Sequence, residues 1–363
     1  MPNLRDRLKR IQESKKNEPD TVISIAQKNK SAPFLKGWES VGFNVLKRTV
    51  IKKLSFKPLK SLPASSVVFI PDLAGADTAS FENFLFFDLE TTGLGGAGTA
   101  AFLSAFGKFI GTSLHITQYL LLDYPGENDF LENTLKELKT ENAVIVSFNG
   151  KSFDSQIIKS RCLQNRIKTP DYRHADLLHP SRRLWKNIIE NCSQASIESG
   201  ILGIERKDDI PGALAPEIWF EFLKTGRTDR LTGICDHNIY DISGLASILN
   251  AILLIAQNPV NCEYRYNAER IALYWRKYLR SKNEYQKDND LKAAGEELLR
   301  FAACNDYKNA LYIYAYDQMR NGNYDEAYKY VLRAIEIFDK ESIQYQKLLR
   351  RKERLEKKLR LDD

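Results

Sequence analysis

The chain has 363 residues, a formal net charge of +7 at pH 7 and a hydrophobic content of 43%. This length suffices for two or three domains with separate cores, and the composition is that of a globular protein. The five cysteines are scattered and form no C-x-x-C pair, so they indicate neither a disulfide framework nor a zinc site and fit a reducing compartment.

Charge is distributed unevenly along the chain. Residues 1–60 hold 15 Lys and Arg against 5 Asp and Glu, residues 61–262 hold 17 against 24, and residues 263–363 hold 22 against 18. An acidic central region between basic flanks suits a domain that binds metal ions while the neighbouring segments attract a polyanion. The alternative is that these charged residues only form a solvated surface. With no secretory signal and no apolar stretch of membrane-spanning length recognised, we expect a cytoplasmic protein without membrane contact.

We predict three regions. Residues 1–60 comprise a basic amphipathic helix at 3–16, a linker and a lead-in segment over 35–60. Residues 61–256 form an α/β domain, because three successive strands are followed by alternating helices and strands. Its predicted elements are strands 84–90, 100–110 and 113–123, helix 127–139, strand 143–147, helix 151–164, strand 171–176, and then mostly helix to 256.

The first strand of this domain carries two acids, Asp88 and Glu90, in the apolar run FLFFDLE. Residues two apart on a strand project from the same face of the sheet. A buried ionised carboxylate costs several kcal/mol unless a cation or hydrogen-bond donors accompany it. A divalent metal ion is the simplest partner for such a pair.

Two further stretches supply acids of the same kind. Asp154 follows a short apolar strand and an Asn-Gly turn, in the first turn of the next helix. His237 and Asp241 are four residues apart, on one face of an apolar helix. Each acid alone is also explained by a turn, a helix dipole or a solvated position. Together they predict a metal site.

The motifs FDLET, FNGxxFD and HNxxD resemble the three exonuclease motifs of the DEDD ribonuclease-H-like superfamily, and HADLLHPSRRLW, IESGILGIERKDDIPG and APEIWFEFL resemble the YprB-like ribonuclease-H-like family. The resemblance covers about Phe84 to Asn250. It implies a mixed five-stranded sheet flanked by helices. It also implies a 3′-5′ exonuclease that hydrolyses single-stranded DNA or RNA with two Mg²⁺ or Mn²⁺ ions.

The same resemblance implies a role for each residue. Asp88 contacts both ions, Glu90 and Asp241 complete the site of the ion that binds the attacking water, and Asp154 serves the second ion. His237 is the expected general base. It occupies the register in which proofreading-type members carry tyrosine, so a histidine that is only hydrogen-bonded is the alternative.

Six residues near these motifs are predicted to contact nucleic acid, as phosphate donors or as sites of close backbone approach: Thr91, Gly93, Asn149, Arg182, Arg183 and Lys186. Trp185 is either a core residue or a platform for base stacking. Asp176 is either a cap for the next helix or a fifth acid of the site.

Residues 263–363 are predicted to be entirely helical. Residues 310–338 resemble a tetratricopeptide-type hairpin, with Gly322, Tyr324, Ala327 and Ala334 near the expected positions. One hairpin cannot bury its own apolar face, so helices at about 265–283 and 290–304 should stack beside it and form a module for a protein partner. The last helix is either a nucleic-acid contact or a solvated cap.

A catalytically silent nucleic-acid-binding module with a helical protein-interaction region is the opposed hypothesis. The four acids argue against it, because a surface that only binds phosphate gains nothing from four anions. A pure scaffold is weaker still, since scaffolding needs no acidic constellation.

Overall fold

A computed structural model describes residues 37–75, 80–93, 95–96, 98–281 and 289–359. The helix predicted at 3–16 lies outside these residues. The described chain folds into a mixed sheet with helices on both faces, followed by a helical C-terminal region. The predicted fold class is therefore confirmed.

The sheet has seven strands in the order β1-β2-β5-β4-β3-β6-β7. The strands are β1 (Glu39–Gly42), β2 (Val45–Lys53), β3 (Phe84–Thr91), β4 (Ala101–Ile110), β5 (Ser113–Leu121), β6 (Val144–Ser147) and β7 (Arg173–Asp176). The β3-β6 and β6-β7 pairs are parallel and the others antiparallel.

All five predicted strands are present, but the predicted count of five is wrong. The two additional strands come from the segment predicted as a lead-in. Val45 and Leu46 are buried, and β2 pairs antiparallel with β5 along its whole length, from Val45 opposite Leu121 to Lys53 opposite Ser113. The lead-in therefore extends the sheet rather than packing loosely on it.

Twelve α-helices lie in the described part of the chain: α1 (Ser66–Phe69), α2 (Glu127–Leu138), α3 (Asp154–Gln164), α4 (Leu178–Trp185), α5 (Gln194–Gly200), α6 (Ala215–Thr225), α7 (Asp229–Gln257), α8 (Ala268–Ser281), α9 (Asn289–Cys304), α10 (Lys308–Arg320), α11 (Tyr324–Ile337) and α12 (Ile343–Leu359). Short 3₁₀ turns occur at Pro71–Leu73, Phe81–Asn83, Tyr124–Gly126 and Gly212–Leu214.

Strand β3 separates two apolar cores. Phe84 and Phe86 belong to a core that includes Ile242 of α7. Leu85 and Phe87 belong to a second core that includes residues of α2 and α3. Because side chains alternate along a strand, Asp88 and Glu90 continue the row of Phe84 and Phe86 and share its face.

Helix α7 is the longest helix of the described chain, at 29 residues. An 18-residue window of it has a mean hydropathy of 1.8, so by length and composition this helix could cross a membrane. The prediction that no stretch reaches this length is therefore wrong. However, 78% of that window is buried inside the protein, as expected for the core helix of a folded domain.

The helical region confirms the predicted helices and shares its core with the α/β domain. Trp275 of α8 packs edge-on against Phe69, with ring centroids 5.7 Å apart. The Trp185 indole donates a hydrogen bond to the Arg265 carbonyl over 3.1 Å. One apolar cluster therefore runs from α1 to α12. A groove of about 590 Å³ lies between α8, α9 and α10.

The close packing of α7 against β4 should require glycine at position 107. A Cβ atom at this position would overlap Cγ2 of Ile242 and lie 3.3 Å from Cδ1 of Leu114. Overpacking of this kind costs typically about 1–3 kcal/mol. We expect Gly107→Ala to lower the free energy of unfolding in urea by that amount. Gly98→Ala is the matched control, because a Cβ there would meet nothing within 4 Å; equal stability of the two variants would contradict the prediction.

Candidate active site

Asp88 and Glu90 lie on β3, a central strand flanked by β4 and β6. Glu90 is buried and Asp88 partly buried. One carboxylate oxygen of Asp88, Oδ2, accepts a hydrogen bond of 2.7 Å from the side-chain amide of Asn238 on α7. Asn238 is fully buried. Helix α7 therefore fixes the orientation of the Asp88 carboxylate.

Asp154 begins α3, where the chain turns after β6. Asn149 adopts a left-handed conformation with φ of 66°. Gly150 has no room for a side chain, since a Cβ there would lie 2.8 Å from Oδ2 of Asp154 and overlap Ser147. The turn therefore brings the backbone close to Asp154 in a way that only glycine permits.

Asp176 ties this turn to the next strand. Its carboxylate accepts hydrogen bonds from the backbone amides of Asn149 at 2.8 Å, Lys151 at 3.0 Å and Leu178 at 3.0 Å. These three bonds occupy both of its oxygens. The arrangement favours the capping interpretation of Asp176 over that of a fifth metal-binding acid.

The acids of β3, α3 and α7 are close enough to repel one another. Burial, followed by the charges of Asp241 and Asp154, raises the pKa of both Asp88 and Glu90 well above the ordinary range. Burial, followed by the charges of Asp176 and Asp241, raises the pKa of Asp154 to about 8. The four predicted acids therefore form one cluster, which requires protons or cations to be stable.

His237 lies between two carboxylates. Its Nδ1 is 2.7 Å from Oδ1 of Asp209, and its Nε2 is 3.2 Å from Oδ2 of Asp241. Gly212, in the loop before α6, covers the ring, because a Cβ there would lie 2.7 Å from Nε2. One ligand atom each from Glu90, His237 and Asp241 lie within 4.8 Å of one another, a spacing at which they could hold one metal ion.

Arg206 completes the site and was missed by the sequence analysis. Its guanidinium forms two hydrogen bonds with Glu198, at 2.7 and 2.8 Å. It also donates to Oδ1 of Asp241 at 2.7 Å and to Asp209 at 3.2 Å. Burial opposes the charge of Arg206, but the bonds to Glu198 and the charge of Asp241 outweigh it and raise its pKa. Arg206 therefore orients two of the acids around His237.

The residues predicted to contact nucleic acid fall into two groups. Thr91 and Gly93 adjoin Glu90 at the end of β3, where the Thr91 hydroxyl donates to the Gly93 carbonyl over 2.8 Å. Asn149 lies in the turn before Asp154. Arg182, on α4, and Lys186, the first residue after this helix, are both exposed. These placements are compatible with the prediction and do not test it.

Arg183 and Trp185 have structural roles. The guanidinium of Arg183 lies over the Tyr274 ring at 4.5 Å and donates to the Phe69 carbonyl over 2.7 Å. Trp185 is 0% exposed, as expected for a core residue and not for a platform on which bases stack. Because Arg183 is directed to the junction with the helical region, we leave it out of the proposed nucleic-acid interface.

Part of the chain is similar in sequence to known proteins. Residues 85–253 match a family model described as "RNase_H superfamily". The chain is also 38% identical over 170 residues to "Uncharacterized protein YprB" of Bacillus subtilis (strain 168). That match covers 46% of this chain and 41% of the relative, so the chain spans less than half of the relative it matches. Residues 85–253 are therefore similar to a ribonuclease-H-superfamily domain.

The raised pKa of Asp154 should link stability to pH in the metal-free protein. A carboxyl group whose pKa rises on folding, here from 3.8 to about 8, binds protons preferentially in the folded state. Stability is therefore highest at low pH and falls as pH rises through this range. In chelator, we expect the urea midpoint to fall between about pH 5 and about pH 8, and to fall less in Asp154→Asn. Asp229→Asn, an exposed acid of α7, is the control; a wild-type midpoint that rises with pH would refute the linkage.

Loss of Arg206 should destabilise the fold strongly. Glu198 is 2% exposed, and removing its guanidinium partner leaves a buried charge uncompensated. Breaking such a pair costs roughly 3–5 kcal/mol. We expect Arg206→Ala to show this loss in urea unfolding and Arg206→Lys a smaller one. Arg230→Ala, which removes a more exposed arginine from Glu217 and Glu221, should cost far less, because solvent screens an exposed ion pair. Similar losses for the two alanine variants would contradict this account of Arg206.

Proposed function

We propose that this chain is a cytoplasmic, metal-dependent nuclease of the DEDD type that hydrolyses single-stranded nucleic acid from its 3′ end by a two-metal mechanism. One observation carries the proposal: Asp88, Glu90, Asp154 and Asp241 converge from three elements, and burial together with the neighbouring acids raises the pKa of Asp88, Glu90 and Asp154. The similarity to the ribonuclease-H superfamily suggests nuclease activity independently of this cluster.

The residues at the site fit divalent cations. Within the described residues, Asp88, Glu90 and Asp154 form no salt bridge. Of the four acids, Asp241 alone is paired there, with Arg206. Several buried carboxylates without a cationic partner are stable only when protons or metal ions are bound. Carboxylate oxygens are the ligands that Mg²⁺ and Mn²⁺ prefer. When bound, two such ions would acidify the attacking water and stabilise charge on the leaving oxygen.

The protein's own groups would orient these ligands. Asn238 holds Oδ2 of Asp88 and leaves Oδ1 for a cation, while Arg206 holds Oδ1 of Asp241 and leaves Oδ2. The Asn149–Gly150 turn positions Asp154. Such support keeps the acids in a fixed geometry despite their repulsion.

The substrate and the partner are also proposals. Five residues would contact the strand: Thr91 and Gly93 at the end of β3, Asn149 in its turn, Arg182 on α4, and Lys186 just after α4. The tetratricopeptide-like hairpin of α10 and α11 packs beside α9 and α12, an arrangement suited to a protein partner.

A cleavage assay tests the nuclease. End-labelled single-stranded DNA and RNA of equal sequence would be incubated with the protein in Mg²⁺, in Mn²⁺ or in chelator. We expect a ladder that shortens from the 3′ end, requires metal and shows which sugar is preferred. Asp88→Asn should lower the rate at least about 100-fold because a metal-binding oxygen is lost. Asp229→Asn on α7 should cleave like the wild type.

Other outcomes would contradict the proposal. Cuts at internal positions would contradict the proposed exonuclease activity but would still show that the protein is a nuclease. Binding of both strands without cleavage, equal in wild type and Asp88→Asn, would replace the nuclease by a nucleic-acid-binding module.

A further inference from the structure

The two ring nitrogens of His237 face different carboxylates. Nδ1 lies 2.7 Å from Oδ1 of Asp209, a hydrogen-bond distance. An ionised carboxylate can only accept, so Nδ1 must carry the proton and donate. In the neutral ring, the lone pair is then on Nε2, the nitrogen directed towards Asp241.

The position of Nε2 is unfavourable unless the ring carries a second proton or a metal ion lies beside it. Its lone pair is 3.2 Å from Oδ2 of Asp241, which carries negative charge of its own. Arg206 holds the other oxygen of Asp241, so Oδ2 is the oxygen left to face Nε2. Two electron-pair donors at this distance repel each other, whereas a metal ion that binds both removes the repulsion.

The surrounding atoms have the spacing of a metal site. Glu90 contributes a third donor, and the three donor atoms lie within 4.8 Å of one another. Ligands about 2.1 Å from an octahedral ion are about 3 Å apart when adjacent and about 4 Å apart when opposite. In addition, a histidine that binds a metal usually donates its other N–H to a carboxylate, as His237 does to Asp209.

We propose that His237 is a metal ligand, binding through Nε2 the same ion as Glu90 and Asp241, and not the general base. The proposal rests on the proposed function in treating this cluster as a cation site. Imidazole favours first-row transition ions, whereas Mg²⁺ favours oxygen ligands. The ion at this position is therefore expected to be Mn²⁺ or a similar transition ion in preference to Mg²⁺.

Pulsed electron paramagnetic resonance of the full chain loaded with Mn²⁺ alone tests the proposal directly. A directly bound imidazole nitrogen modulates the electron spin echo, and the modulation changes when histidine is labelled with ¹⁵N. The chain has four histidines, which makes the assignment tractable. We expect nitrogen modulation in the wild type, its retention in His179→Asn, an exposed position on α4, and its loss in His237→Ala.

Calorimetric titration supplies a second readout. His237→Ala should weaken Mn²⁺ binding at least about 10-fold, while Mg²⁺ binding changes much less, so the preference for Mn²⁺ falls. The electron paramagnetic resonance spectrum of the wild type does not depend on any variant. The proposal can therefore be refuted even if His237→Ala does not fold.

The outcomes separate this inference from the proposed function. Bound Mn²⁺ without histidine modulation overturns the ligand role and leaves the nuclease standing, with His237 as base or as an imidazolium bridging Asp209 and Asp241. Failure of the wild type to bind either ion overturns both.

Discussion

Mutual repulsion among four carboxylates, two of them buried and two partly buried, is the constraint on which the site depends. Burial and neighbouring acids raise the pKa of Asp88, Glu90 and Asp154, so the metal-free cluster opposes folding at neutral pH. The remaining structure must hold these groups together against that force. It does so with a long buried helix across the sheet and with hydrogen bonds that fix one oxygen of Asp88 and one of Asp241.

Two hydrogen-bond networks meet on α7 and support neighbouring acids. In one, Arg48 of β2 donates to Gln118, Gln118 donates to Asn238, and Asn238 donates to Asp88, over 2.7, 2.8 and 2.7 Å. In the other, Glu198 holds Arg206, which donates to Asp241. Gln118, Asn238 and Glu198 are buried, in surroundings where hydrogen bonds are strongest and unpaired groups most costly. Since Arg48 lies on an additional strand of the sheet, that strand supports the site as well as covering an edge.

The sequence allowed the acids to be predicted because each lies in an apolar frame with a clear period: a strand for Asp88 and Glu90, a helix start for Asp154 and a long helix for Asp241. Arg206 and Asp209 lie in the irregular stretch between α5 and α6, where no period indicates which side chains turn inwards. Strand β2 was missed for a related reason. Only its first two residues are buried, and its lysines resemble a solvated segment. Whether a segment of this kind forms a strand depends on its pairing with a strand distant in sequence. The local sequence pattern does not contain that information.

Helix α4 shows how one basic segment serves two purposes. Leu184 and Trp185 are buried, and the Trp185 indole reaches the Arg265 carbonyl, just before α8. Arg182, on the helix, and Lys186, just after its last residue, are both exposed. The inner face of α4 therefore joins the α/β domain to the helical region, and two cations lie exposed at its C-terminal end. The proposed contact of these two cations with nucleic acid would therefore lie beside the junction with the helical region.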